Sequence, residues 1–361
     1  MFMDRPDIEH GIKIAAQITP EPTDDDLAFI RQMGVNYVVL WTGADKASAE
    51  YYASRRKLFH DAGLTVYGFG DFDVHNQDAI VLGLENRDAK IEEYKRHLRN
   101  LGKAGIPYTT YAHMANGIWS TDPEPARGGA RARAFNLEHA KEGHWIQRRY
   151  TAPLTHGRVY TEEEIWDNFI TFIQQVAPVA EEAGVKIGIH PDDPPVSQLG
   201  GIPRCIFGSF EGYRKALEIA DSPNVGMCLC VGCWLEGGDL MGKDVLETIR
   251  YFGERKKLFK VHLRNVTQPL PYFVETFLDD GYMDMYKVMC ALKEVDFDGV
   301  VIPDHIPLMG RDFWGSEAGD PEFMKSKLEL AHQQHEARIG TAFSIGYMKA
   351  LLERVKAQSC C

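Results

Sequence analysis

The 361-residue sequence contains no uninterrupted apolar run close to the roughly 20 residues that a membrane-spanning helix requires. Its first residues, MFMDRPDIEHG, are polar and acidic and lack the apolar segment of a secretory signal. Basic residues are in the minority, with 40 Lys and Arg against 52 Asp and Glu and a formal net charge of -12. That balance argues against a broad nucleic-acid-binding surface. We therefore expect a cytoplasmic protein that has neither a membrane nor a nucleic acid as its partner.

Cysteine is sparse, and its arrangement does not resemble a disulfide framework. The chain has seven cysteines, an odd number, which in a long sequence without a secretory signal is typical of reduced thiols. The segment CLCVGC at 228–233 looks like half of a zinc knuckle, but no second cysteine pair follows at a matching spacing. We therefore expect neither disulfide bonds nor a zinc knuckle.

Short apolar, β-branched runs recur along the chain, and a stretch of helical periodicity follows each of them. Several runs begin just after a glycine, as in GKAGIPYT and EEAGVKIG, which is a usual way for a helix to end before a strand. Eight alternating units predict parallel βαβ connections and favour a single (β/α)8 TIM barrel over residues 1–361, with an open doubly wound sheet as the alternative. The predicted strands are Ile12–Ile18, Val35–Trp41, Leu64–Gly70, Ile106–His113, Val185–His190, Val225–Val231, Leu258–Arg264 and Gly299–Asp304.

Two regions depart from this alternation. Residues 114–160, rich in Arg, Gly and Pro, are predicted to form a long insertion loop after the fourth strand. Such a loop should lie over the active-site face as a lid or substrate contact, with an oligomer contact as the alternative. Residues 306–361 predict a loop, a helix near 321–334 and a last helix near 341–355. We also expect the chain to form a homo-oligomer.

Side-chain alternation predicts a metal site at one end of this barrel. In a parallel barrel every second side chain points inward, and catalytic groups lie at the C-terminal ends of the strands. On each of the last four strands, this alternation places one metal-binding side chain on the inward face at the strand's C-terminal end. They are His190, Cys230, His262 and Asp304. Two imidazoles, a thiolate and a carboxylate suit a divalent metal such as Mn²⁺, Fe²⁺ or Zn²⁺.

Each of these residues alone is a weak indicator. A single His at a strand end is more often structural or a substrate hydrogen-bonding group, and a buried Cys is usually a small apolar residue. Repetition at equivalent places on four adjacent strands is what favours a metal. Among the cysteines, Cys230 lies nearest the end of its strand, Cys228 lies one layer deeper, and Cys233 in the following loop is the alternative ligand.

These residues lie in motifs that resemble those of the mannonate dehydratase family, within the xylose isomerase-like barrels. The resemblance covers about residues 185–305, through IHPDDPP (189–195), GIPR (201–204), LCVG (229–232), FKVHLRNV (259–266) and IPDH (302–305). It implies that the same four residues bind the metal, with Mn²⁺ as the first expectation. It also implies a carbon-oxygen lyase that dehydrates a D-mannonate-like sugar acid to a 2-keto-3-deoxy sugar acid.

One departure from the family's pattern concerns acid–base catalysis. After PDH the family carries a Gly-Arg pair and an RPGYG-type segment whose tyrosine takes part in catalysis, whereas here IPLMGRDFWG is followed by ELAHQQHEARIG. We expect Asp304 and His305 as acid–base residues, with His332 as a replacement for the tyrosine. The alternatives are a metal-dependent sugar isomerase or epimerase and, disfavoured by the acidic charge, a metal-dependent nuclease of a related barrel.

Four further residues are candidates for substrate binding. Arg264, beside the metal at the end of the seventh strand, either clamps the substrate carboxylate or forms a salt bridge. Arg204 is a candidate on the resemblance alone. Asp192 either contacts substrate hydroxyls or orients His190. His113, at the end of the fourth strand, either binds a sugar hydroxyl or caps a loop.

Overall fold

A computed structural model describes residues 8–309 and 323–357, with side chains described from residue 337 onward in the second range. Each strand predicted from the sequence is confirmed to within a residue or two. The strands are β1 (Ile12–Ile18), β2 (Tyr37–Thr42), β3 (Thr65–Asp71), β4 (Tyr108–Ala112), β5 (Lys186–His190), β6 (Val225–Cys230), β7 (Leu258–Leu263) and β8 (Gly299–Pro303).

These strands form a nearly closed parallel barrel. The pairing order is β3, β2, β1, β8, β7, β6, β5, β4, and every pair is parallel. The two ends of this sheet meet where the rings of Tyr67 on β3 and Tyr108 on β4 approach to 5.4 Å between centroids. The barrel fold expected from alternating strands and helices is therefore confirmed.

A long helix follows each strand, and the sequence explains where several of them begin and end. Capping boxes start α1, at Thr23 with Asp26, and α4, at Thr161 with Glu164. Gly184 ends α4 in the left-handed conformation, at φ 65°. These long helices are α1 (Asp24–Gln32), α2 (Ala49–Asp61), α3 (Arg87–Ala104), α4 (Glu162–Ala183), α5 (Phe210–Ala220), α6 (Val245–Glu254), α7 (Met285–Glu294) and α8 (Phe323–Ala357). Shorter helices lie at Phe72–His75, Asp78–Leu82 and Val231–Gly237.

The C-terminal region differs from the prediction of two separate helices, because α8 is continuous from Phe323 to Ala357. Gly340 lies inside it, where a Cβ would come within 2.6 Å of Ile306 Cγ2 and 2.7 Å of Pro307 O. The glycine therefore permits close packing against the segment after β8 instead of ending the helix. Within residues 8–309 and 323–357, no helix has the length and apolar character needed to cross a bilayer.

The insertion at residues 114–160 is predicted as a loop, but the structure shows antiparallel strands in it. They are Ile118–Trp119, Thr121–Pro125, Arg131–Asn136, Glu142–Trp145 and Arg148–Thr151. Arg131–Asn136 also pairs with Tyr272–Thr276, which lies in the segment between β7 and α7. Hydrogen bonding between backbones thus joins the insertion to a second segment that follows a strand's C-terminal end.

Aromatic and aliphatic side chains fill the barrel interior below this end. One buried cluster consists of Ala15, Tyr37, Val39, Tyr67, Tyr108, Phe259, Val300 and Ile302. The Tyr67 hydroxyl donates to the Phe259 carbonyl at 2.8 Å. Gly188 on β5 makes room for the Tyr108 ring, because a Cβ at Gly188 would lie 2.3 Å from the Tyr108 hydroxyl oxygen.

We predict that Gly188→Ala lowers the free energy of unfolding by about 1–3 kcal/mol, because the added methyl overpacks the interior. Gly346→Ala is the matched control: Gly346 lies in α8 with no atom within 4 Å of its added Cβ. The control should be neutral or stabilising by up to about 1 kcal/mol. Urea titration of both variants measures the difference, and equal midpoints would contradict this account of the interior.

Candidate metal centre

Three of the four predicted metal ligands meet at the C-terminal rim of the barrel. His190 is the last residue of β5, Cys230 the last of β6, and His262 lies one residue before the end of β7. The register pairs Cys230 directly with His262. All three side chains are buried, and their ligand atoms lie within 4.8 Å of one another.

Asp304, the residue after β8, lies against this group. Its Oδ1 is 3.4 Å from His262 Nδ1, and its Oδ2 is 3.6 Å from Cys230 Sγ. The structure therefore brings together all four side chains that strand parity selected. Cys233, the alternative ligand, has its sulfur 3.1 Å from Arg264 Nη2.

This donor set fits a divalent cation. Both ring nitrogens of His262 are buried, and neither has a well-aligned hydrogen bond to a residue that the structure describes, although Nδ1 lies 3.4 Å from Asp304 Oδ1. Buried polar atoms without such a bond are uncommon. Burial raises the pKa of the Cys230 thiol, but the hydrogen bond from Cys233 and the charge of Arg264 outweigh it and hold that pKa well below its usual range. The thiolate is the metal-binding form of cysteine.

Arg264 lies in a network of buried charges beside this group. Its Nη2 is 2.7 Å from Glu236 Oε1 and 3.1 Å from Asp193 Oδ2. Its Nη1 is 3.0 Å from Asp304 Oδ2 and 3.1 Å from Glu275 Oε1. The guanidinium is thus surrounded by protein carboxylates, as in the salt-bridge alternative, rather than open to a substrate carboxylate.

A second acidic cluster in this network also has the composition of a metal site. The ligand atoms of Asp193, Cys233 and Glu236 lie within 4.8 Å of one another. However, Arg264 Nη2 lies within 3.1 Å of an atom of each of these residues. A guanidinium group therefore fills this cluster in place of a cation.

The insertion contributes another arginine to the network. Arg133, in the strand Arg131–Asn136, places Nη2 2.6 Å from Asp193 Oδ1 and Nη1 2.5 Å from Glu275 Oε1. Its Nη2 also donates to the Trp119 carbonyl at 2.7 Å. Sequence reasoning did not identify Arg133, Glu236 or Glu275. The alternation of charged and small residues in RARAF is the signal that indicates a strand with one buried face.

His305 is the more exposed member of the site, with 30% of its side chain accessible. Its backbone adopts the left-handed conformation, at φ 43°. Its Nδ1 lies 2.9 Å from Glu275 Oε1 and contacts Arg264, and its Nε2 is 3.9 Å from Asp304 Oδ1. Burial lowers the pKa of His305, but the charges of Asp304 and Glu275 outweigh it and raise that pKa above its usual value.

Two predicted substrate-binding residues lie away from the metal group. Arg204 is buried and donates to the carbonyls of Gly117 at 2.6 Å and Asp193 at 2.9 Å, so it fastens the insertion to the loop after β5. His113 points toward the helix layer, with Nδ1 2.8 Å from the Tyr111 hydroxyl. Side chains alternate between the two faces of β4, and Tyr108 faces the interior. His113, five residues further along, therefore faces the helices.

The structure says less about two further predicted residues, Asp192 and His332. Asp192 is buried after β5, and that burial raises its pKa to about 6. Its carboxyl group lies near Arg204, whose charge opposes the rise. His332 lies in α8, in the part of the helix whose side chains fall outside the described residues.

Comparison with known proteins identifies the family. The sequence model of the D-mannonate dehydratase (UxuA) family matches residues 21–328. The chain belongs to this family. A mannonate dehydratase of Streptococcus suis is 33% identical over 287 residues, covering 74% of this chain and 75% of that protein. Membership of the mannonate dehydratase family makes the chain a hydro-lyase and supports dehydration of a sugar acid.

Solved structures agree with this assignment. The crystal structure of mannonate dehydratase from Streptococcus suis superposes with a TM-score of 0.75 at 27% identity, over 95% of each chain. A xylose isomerase domain protein from Planctomyces limnophilus superposes with a TM-score of 0.59 at 12% identity, over 97% of this chain and 99% of that one. The second likeness shows the fold alone, a xylose isomerase-like barrel.

We predict that Arg133→Met lowers the free energy of unfolding by about 3–5 kcal/mol, because Asp193 and Glu275 lose a buried countercharge. Arg133→Lys, which keeps the charge, should lose less. Arg149→Met is the matched control in the same insertion, where the side chain is 67% exposed and pairs with Glu142. It should cost under about 1 kcal/mol. Urea denaturation measures all three, and a loss for Arg133→Met as small as the control's would contradict the network's role.

Proposed function

We propose that this protein is a metal-dependent lyase that dehydrates a D-mannonate-like sugar acid to a 2-keto-3-deoxy sugar acid. The observation that carries the proposal is the convergence of His190, Cys230 and His262, with Asp304 beside them, in a member of the mannonate dehydratase family. These four side chains would hold Mn²⁺, with Fe²⁺ or Zn²⁺ as alternatives.

The reaction breaks the C–H bond beside the carboxylate and the C–O bond at the next carbon, and water leaves. The resulting enol becomes the 2-keto-3-deoxy acid by proton transfer. When bound, the metal supplies Lewis acidity that stabilises negative charge on the substrate's oxygens. The protein must therefore provide a group that accepts the first proton and a group that donates a proton to the departing hydroxyl.

His305 is the acid that the geometry favours. Its raised pKa favours the protonated ring, and its partial exposure lets it reach a substrate at the rim. Asp304, 3.9 Å away, stabilises that protonated form. We propose His332 for the other proton-transfer role, in place of the tyrosine of the family's pattern. His332 and His335 both stand in the segment ELAHQQHEARIG, where the family's pattern has its tyrosine, and His332 is the one that we propose.

The two buried arginines position the site in this proposal. Arg264 donates to Asp304 Oδ2 and so fixes the carboxylate beside His262. Arg204 holds the loop that follows His190 through the Asp193 carbonyl. Both guanidinium groups are already paired with protein atoms, so the substrate's own carboxylate would need another positive charge, which a bound metal would supply. We also propose that the protein acts in the cytoplasm as a homo-oligomer.

Mass spectrometry of sugar acids incubated with the protein and Mn²⁺ tests this function. We expect a product that is lighter by one water molecule. Chelation should abolish turnover, and added Mn²⁺, Fe²⁺ or Zn²⁺ should restore it to different extents. His190→Ala and His262→Ala should each lower both the bound metal per chain and the turnover, by more than about 100-fold for turnover.

His60→Ala is the control, because His60 lies on α2 with 74% of its side chain exposed. It is distant in the sequence from the four proposed metal ligands. Its metal content and turnover should match those of the wild type. A product of unchanged mass would indicate an isomerase or epimerase instead. Full activity in metal-depleted protein would contradict the metal-dependent mechanism.

A further inference from the structure

An aromatic cluster joins the insertion to the ends of β2 and β3. Trp41 of β2 stacks on Phe72 at 5.2 Å and meets His75 edge-on at 4.8 Å. Trp145, in the insertion strand Glu142–Trp145, stacks on His75 from another direction, at 4.8 Å and 30°. The Trp145 indole N–H also donates to the Phe72 carbonyl at 3.0 Å. His75 is therefore held between two tryptophans that come from distant parts of the chain.

The protonation of His75 follows from its hydrogen bond. Its Nδ1 lies 3.0 Å from the Thr110 carbonyl oxygen, which can only accept, so Nδ1 carries the proton. Nε2 is then a bare acceptor, and within the described ranges it makes no hydrogen bond. Burial lowers the pKa of His75 to about 3, and the charges of His190, Lys260 and His262 act in the same direction. The ring is therefore neutral at ordinary pH.

His75 lies at the same rim as the metal group. Thr110, its partner, is on β4, and the register pairs Thr110 with Gly188 and Ala112 with His190 on β5. His75 is thus bonded to the strand next to the one that carries His190. His75 is only 6% exposed, and among the described residues the hydrogen bond of its ring is the one between Nδ1 and the Thr110 carbonyl.

We propose that His75 Nε2 accepts a hydrogen bond from a hydroxyl group of the sugar acid, and that Trp145 holds the ring in position for it. This inference rests on the proposed function, because it assigns a subsite for that substrate. A neutral acceptor attracts a hydroxyl donor and repels a carboxylate, which has acceptors alone. His75 therefore selects the polyhydroxylated part of the substrate and leaves its carboxylate to the metal side.

Such a contact predicts a particular kinetic change. A hydroxyl that is remote from the reacting carbons is bound equally in the ground state and the transition state, so its loss raises KM and leaves kcat almost unchanged. Buried hydrogen-bonding groups that lose their partner typically weaken binding by about 10- to 100-fold. A position that served only to pack the rim would change stability or kcat as well.

His75→Phe keeps an aromatic ring between the tryptophans and removes the Nε2 acceptor together with the Nδ1 donor to Thr110. We expect its KM for the sugar acid to rise by about 10- to 100-fold with kcat within about threefold of the wild type. The Kd of the 2-keto-3-deoxy product, measured by calorimetry without turnover, should rise by a similar factor. His144→Phe is the matched control, because His144 precedes Trp145 and is 51% exposed. It should leave both constants unchanged.

A series of sugar acids that each lack one hydroxyl beyond the reacting carbons completes the test. For the wild type, one member of the series should have a Kd about 10- to 100-fold higher than that of the parent sugar acid. For His75→Phe, that member and the parent should have about the same Kd. If His75→Phe weakens all members equally, or none, the subsite is wrong. If the wild type neither dehydrates nor binds any sugar acid, the proposed function fails, independently of His75.

Discussion

The burial of two guanidinium groups against four carboxyl groups is the constraint that shapes the mouth of this barrel. Removing such charges from water costs several kcal/mol per ion unless each one meets a partner. Burial and the neighbouring Asp193 raise the pKa of Glu236 above its usual value, while the charges of Arg264 and Arg133 oppose the rise. The four carboxyl groups face these two arginines and His305. The members of this network are Arg133, Arg264, Asp193, Glu236, Glu275 and Asp304.

Much of the fold and the proposed metal group could be predicted, because both depend on local patterns. Apolar strands preceded by glycine caps repeat along the chain, and the strand bounds follow from them. The alternation of side chains then directs His190, Cys230 and His262 to one rim, and the structure places their ligand atoms together.

The remainder of the site depends on contacts that no local pattern contains. Arg133 and Glu275 are 142 positions apart, and they meet because an insertion strand pairs with a strand after β7. His113 shows a different limit: parity applied to the fourth strand, where Tyr108 faces inward, would have placed it against the helices. In α8, Gly340 allows close packing against Ile306. The sequence alone does not show whether a glycine at this place allows close packing or ends a helix.

The attachment of the insertion determines how molecules can reach and leave the rim. Arg133 binds Asp193 and Glu275, Arg204 binds the Gly117 carbonyl, and Trp145 binds the Phe72 carbonyl. Rotating the insertion outward would break these contacts together and leave Asp193 and Glu275 with Arg264 as their only remaining arginine partner among the described residues. We infer that the insertion is a fixed wall, so that passage of sugar acid and water depends on the width of the remaining opening and not on the rate of a hinge.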